Sequence, residues 1–217
     1  LFRSLGLALV IANIHNTSKQ QAHLQNVKSA IPSATTPKTT TSSTSSSSDE
    51  ELKLNPIIDL SGWQLPQDID YDVLSNHISG AIIRVFGGSQ ISKDSNAASS
   101  NGVDKSFKTH IKELQKRDVP VAVYSYAQGA SVKEMKEEAR IFYKNASPYK
   151  PTYYWIDVEE ETMPNMEEGV QAFLAELKRL GADKVGLYIG AYFMLEQEVS
   201  TRNFDAVWIP AYGTDSG

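Results

Sequence analysis

No cysteine occurs among the 217 residues, which excludes disulfide staples, thiolate metal ligands and a thiol nucleophile. The absence says little about compartment, since many exported bacterial proteins also lack cysteine. An excess of positive charge is lacking too: the formal net charge is −5, so there is no basic footprint for nucleic acid. Neither a Cys/His cluster nor a Gly-Lys-Ser/Thr phosphate loop is present, so we expect no metal site and no organic cofactor. Long apolar runs are missing as well. The best of them, Leu5 to Ile14 behind Arg3, is too short to span a bilayer alone and reads as part of a signal peptide or membrane anchor over residues 1–16.

What is present divides the chain. Residues 17–54 are polar, dense in Ser and Thr between Ser33 and Ser48, and interrupted by Pro32 and Pro37. Such a segment has little apolar surface to offset the entropy of ordering, so a disordered linker is expected, tethering a folded module to a surface. Residues 55–217 are long enough for one large domain, and the 41% hydrophobic content of the chain is ordinary for a globular protein.

Within that domain, short apolar runs alternate with amphipathic stretches, the pattern of repeated βα units around a parallel sheet. Strands are expected at Pro56 to Leu60, Ala81 to Phe86, Pro120 to Tyr126, Thr152 to Val158, Lys184 to Ile189 and Ala206 to Ala211. Helices are expected at Tyr71 to Asn76, Asp104 to Arg117, Val132 to Asn145, Met166 to Leu180 and Tyr192 to Val199, with Asp118 and Gly181 as stops. The fold class is therefore α/β, a TIM-type barrel. An open doubly wound sheet is the alternative, weakened by the lack of a Gly-rich turn after the first strand.

In such a barrel the reactive groups stand at the carboxyl ends of the strands. The fourth strand ends in Tyr153-Tyr154-Trp155-Ile156-Asp157-Val158-Glu159, and residues two apart on a strand face the same side. Two acids on one face of a buried strand raise each other's pKa, which suits one protonated and one charged carboxyl. The plain alternative is a cap or turn at Asp157 followed by a solvated acidic run, Glu159 to Glu161. Other strand ends strengthen the catalytic reading: Asp59 with Ser61, Trp63 and Gln64; Arg84; Tyr124 and Tyr126; and Trp208 through Tyr212. Each has a dull explanation alone. Aromatic faces with carboxyl and hydroxyl groups together favour a carbohydrate ligand.

The ordered set Ile58-Asp59-Leu60-Ser61 with Trp63-Gln64, Ile82-Ile83-Arg84, Asp104 with Phe107, Val121 to Tyr126, Asp157-Val158-Glu159, Gly186-Leu187-Tyr188 and Trp208 to Tyr212 resembles the family 25 glycoside hydrolases, lysozyme-like N-acetylmuramidases. The resemblance covers Pro56 to the end of the chain. It implies a modified barrel of five βα units followed by extra strands, cleaving the β-1,4 bond between N-acetylmuramic acid and N-acetylglucosamine. By the same resemblance Glu159 is the general acid, Asp157 its charged partner and Asp59 a third acid of the pocket. Candidate saccharide contacts are Tyr124, Tyr126, Arg84, Trp155, Trp208, Tyr212 and Ser61, with Arg84 alternatively holding a carboxylate in place.

Two positions depart from the family pattern: Ser125 stands where members usually carry His, and His110 where they carry Asn in the helix. The chain stops at Gly217, so we expect the barrel to be incomplete before its last strands. The expected partner is the glycan of peptidoglycan, acted on by a monomer outside a bacterial cell, secreted or tethered through its N-terminus. The competing readings are a non-catalytic wall-binding module and a chitinase-like glycosidase. Chitinases also end this strand in Asp-x-Glu but carry another Asp where Trp155 stands.

Overall fold

Six runs rich in β-branched and aromatic residues form strands: β1 Ile57–Leu60, β2 Gly80–Phe86, β3 Val121–Tyr126, β4 Tyr154–Val158, β5 Val185–Ile189 and β6 Ala206–Trp208. Between them lie α1 Tyr71–Ser75, α2 Phe107–Gln115, α3 Val132–Ala146, α4 Met166–Leu180 and α5 Ala191–Glu196. These come from a computed structural model that describes residues 55–87 and 97–210. The expected anchor, the expected linker and Tyr212 lie outside the described residues.

All neighbouring strands pair in parallel, in the order β1-β2-β3-β4-β5-β6. A doubly wound sheet would reverse its strand order partway, so the sequential order selects the barrel-type winding instead. The result is a curled half-barrel. Right-handed crossovers place the helices on one face. On that face the register aligns Leu60 with Ile83, Ile83 with Val123, Val123 with Tyr154 and Tyr154 with Val185, and all five are buried. Phe107, Phe142 and Phe173 from the helices complete this core; Phe142 meets Tyr154 edge-on at 5.8 Å.

Local chemistry accounts for the element ends. Helix α2 begins at Phe107 rather than at Asp104, because the Asp104 carboxylate stands outside the helix and accepts the N–H groups of Ser106 and Phe107 at 2.8 and 3.1 Å. After α2 and α4 the chain turns through left-handed residues, Asp118 at φ 58° and Gly181 at φ 103°. Helix α5 ends early, since Glu198 also adopts a left-handed conformation at φ 52°. β6 stops at Trp208, short of the expected Ala211.

Candidate active site

The opposite, concave face of the sheet carries the chemistry. Paired residues of a parallel ladder project to the same side, so Arg84, Tyr124, Trp155 and Gly186 form one row across β2 to β5. Tyr126, Asp157, Tyr188 and Trp208 form the next row toward the carboxyl edge. Glu159 follows Asp157 by one pleat, just past the end of β4, and Asp59 shares the concave face on β1. Asp157 is buried, whereas Asp59 and Glu159 are exposed at the mouth.

Burial, followed by the charge of Glu159 and a hydrogen-bonding contact with it, pushes the Asp157 carboxyl well above the usual range. The charge of Asp59 adds to this and Arg84 opposes it. Burial also raises Glu159, while its contact with Asp157 pulls the other way. Asp157 therefore keeps its proton to higher pH than an ordinary carboxyl, and the two acids titrate as an interacting pair. Burial likewise raises the phenols of Tyr124 and Tyr126, which stay neutral donors. Among the described residues no group of three or more acids or histidines stands in a metal-holding arrangement.

Aromatic walls rise beside the acids. Trp155 stacks on Tyr153 at 5.7 Å and meets the edge of Trp208 at 6.2 Å, and Tyr188 meets Trp208 at 5.3 Å. Gly186 makes this possible: a Cβ there would lie 2.4 Å from the Trp155 ring, so the indole lies across a strand with no side chain at that point.

Beneath the cleft, Asp104 organises three segments. Its Oδ2 takes Arg84 Nε at 3.1 Å, Arg84 Nη2 at 3.0 Å and the Gly62 N–H at 2.6 Å, while its Oδ1 caps α2. Two charges this deeply buried are tolerated because they match each other and the carboxylate also accepts the N–H groups of Gly62, Ser106 and Phe107. His110, fully buried in α2, donates from Nε2 to the Ser61 carbonyl at 3.2 Å; its Nδ1 must then accept from the Tyr71 hydroxyl at 2.6 Å. Burial holds His110 below its usual pKa, consistent with this neutral form.

The structure thus brings Asp59, Asp157, Glu159, Tyr124, Tyr126, Trp155 and Trp208 to the concave face at the carboxyl ends of the strands. Two expected saccharide contacts lie below its surface. Ser61 is 5% exposed and its hydroxyl and backbone close a turn with Gln64; Arg84 is 4% exposed and serves Asp104. Asp104, Tyr188 and His110, which frame the cleft, were not among the expected site residues. Strand alternation from Gly186 pointed to Tyr188, but no local signal linked Asp104 to residues 20 and 42 positions away. Ser125 pairs with Phe86 across a bulge and with Ile156, fully buried on the helix side, so this departure from the family pattern leaves the cleft wall unchanged.

A parallel half-barrel with acids and aromatics gathered at its carboxyl edge is an arrangement suited to a carbohydrate ligand. The sequence profile of the glycosyl hydrolases family 25 matches residues 58–217. The chain belongs to that family, and so to the glycosidases. It is similar to GHIP, a glycosyl hydrolase 25 of Streptococcus pneumoniae described as a virulence factor participating in host cell invasion: identity is 58%, the TM-score 0.72, and the match covers 75% of this chain and 71% of that one. The catalytic domain of endolysin ply40 from bacteriophage P40 of Listeria monocytogenes is 25% identical with a TM-score of 0.61, over 74% of this chain and 75% of the other. The modular autolysin LytC of Streptococcus pneumoniae shares the fold, at 20% identity and a TM-score of 0.52, over 64% of this chain and 33% of its own. A search of curated proteins found no match.

Proposed function

We propose that the protein hydrolyses the glycan of peptidoglycan as an N-acetylmuramidase, cutting the β-1,4 bond from N-acetylmuramic acid to N-acetylglucosamine. The observation that carries this is the placement of Asp157 and Glu159, two acids one pleat apart whose pKa values burial raises, on the concave face with Asp59 and beside an aromatic wall. Family membership and the similar endolysin support the choice of substrate.

Glu159 stands at the mouth and meets the glycosidic oxygen first. As that oxygen takes position, the proton passes from Asp157 to Glu159, and Glu159 gives it to the leaving oxygen while the C–O bond breaks and its electron pair departs with the oxygen. Asp157 is left charged. It then offsets the positive charge developing at the sugar carbon, or orients the substrate's own N-acetyl group if that group attacks; water completes the hydrolysis. Asp59 maintains the negative field that keeps a proton on the pair. Trp155, Trp208, Tyr124 and Tyr126 contact the sugars, and Tyr212 extends this set by sequence. Arg84 and Ser61 act from beneath, holding Asp104 and the β1 turn.

This reading takes residues 55–217 as the catalytic domain of a monomer acting outside the cell, with 17–54 as tether and 1–16 as signal or anchor. The test is release of new reducing ends from purified cell walls, with chitin oligomers as the comparison. Glu159→Gln is expected to lower turnover by a thousandfold or more with an unchanged circular dichroism spectrum. An active Glu159→Gln enzyme would remove the proposed acid.

A further inference from the structure

Trp63 differs from the other two tryptophans. Trp155 and Trp208 pack against neighbouring rings, whereas Trp63 is 57% exposed and has no ring contact among the described residues. An exposed indole normally sits on a mobile loop or folds down onto apolar surface. The turn carrying Trp63 is instead anchored on both sides. The Ser61 carbonyl accepts from buried His110 at 3.2 Å, the Ser61 N–H donates to Gln64 Oε1 at 2.9 Å, and the Gly62 N–H donates to buried Asp104 at 2.6 Å. The Trp63 N–H itself donates to the Ser61 hydroxyl at 3.3 Å. Gly62 passes so close to a neighbouring segment that a Cβ would lie 2.2 Å from the Ala97 carbonyl. Two buried polar groups thus hold in place a turn that presents a large aromatic side chain to solvent.

We propose that Trp63 is a stacking platform for a sugar ring of the glycan on the β1 side of the acids. This rests on the glycosidase reading above and deepens it by assigning a distal subsite on the β1 side. Trp63 leaves β1 at the same carboxyl edge as the acids, and β1 lies three strands from β4 in the sheet. At one strand spacing each, that separation is at most on the order of 14 Å along the sheet. A glycan strand running from the acid pair past Asp59 toward the β1 edge would meet the indole beyond Asp59. A rigid indole offers its face to a sugar ring with little ordering entropy to lose, which is why the turn is held so firmly.

The test measures binding of soluble peptidoglycan oligosaccharides of increasing length to the full chain, in a Glu159→Gln background that prevents turnover. Affinity is expected to rise once the oligosaccharide outgrows a disaccharide, with a change in tryptophan fluorescence. Trp63→Ala should weaken the longer ligands about tenfold and remove the length dependence, while Trp63→Phe restores most of it. Identical length dependence with and without the indole would overturn the subsite and leave the glycosidase reading standing. If no oligosaccharide binds any of these proteins, while each melts cooperatively, the glycosidase reading falls and the subsite with it.

Discussion

Asp157 shows what a single residue costs and provides. Its folded pKa lies above the unfolded value, so the folded protein binds more protons and stability falls as pH rises past the ordinary carboxylate range toward the raised value. At pH 7 a carboxyl whose ionisation is opposed by burial, by Glu159 and by Asp59 destabilises the fold. Asp157→Asn is expected to raise the melting temperature at pH 7 while reducing wall hydrolysis at least a hundredfold. Calorimetry and a reducing-end assay on the same preparation check both halves; a lower melting temperature would show that the carboxyl is not a source of strain. Catalytic groups commonly carry this trade between stability and activity.

At the scale of elements, the cleft depends on what β5 omits. Trp155 on β4 lies flat because Gly186 on β5 leaves no side chain under it, and the indole then braces Trp208 on β6. Gly186→Ala places a methyl group 2.4 Å from the ring, a distance that requires the indole to move. The expected outcome is a weakened aromatic wall: a changed near-ultraviolet circular dichroism signal, a KM raised several-fold on soluble glycan, and stability lower by about 1–3 kcal/mol. Unaltered near-ultraviolet ellipticity would mean that the ring does not rest there. The neighbouring β3–α3 connection is braced by a different device. Buried Glu138 of α3 accepts the Gln128 N–H at 3.0 Å, and the Gln128 side chain reaches Glu160 at 2.8 Å, tying this connection to the segment that follows β4.

Across the whole molecule, buried acids set the response to pH. Burial lifts Glu138 from 4.5 to about 7, against the hydrogen bonds it accepts. The folded state therefore holds this proton longer than the unfolded chain. Stability is fully present below the unfolded value of 4.5, declines as pH rises through the folded value near 7, and levels off above it. A shift of this size corresponds to roughly 3 kcal/mol. Glu138→Gln keeps an acceptor for Gln128 and is expected to make the melting temperature decline less steeply between pH 5 and 8 than in the parent protein, leaving the part due to Asp157. A parallel decline in both proteins would place the effect elsewhere. Activity should follow the acid pair and fall on the alkaline side, as pH passes the raised pKa values of Asp157 and Glu159.

The chain by itself determined the strands, the helices and the acids at the strand ends, because alternation and helical spacing are local properties that the backbone converts directly into faces. Asp157 and Glu159 share a side of the strand for that reason alone, and so do Trp155 and Asp157. The folded arrangement decided what those faces meet. Arg84 and Ser61 were legible as strand-end polar residues, yet their burial and their service to Asp104 and the β1 turn arise from partners far away in the chain. Asp104 read as the start of a helix; only the crossing of three segments makes it an ion-pair partner, a cap and a clamp at once. The raised pKa of Asp157 was equally hidden, since pKa follows desolvation and neighbouring charge, and both are created by packing rather than by the order of residues.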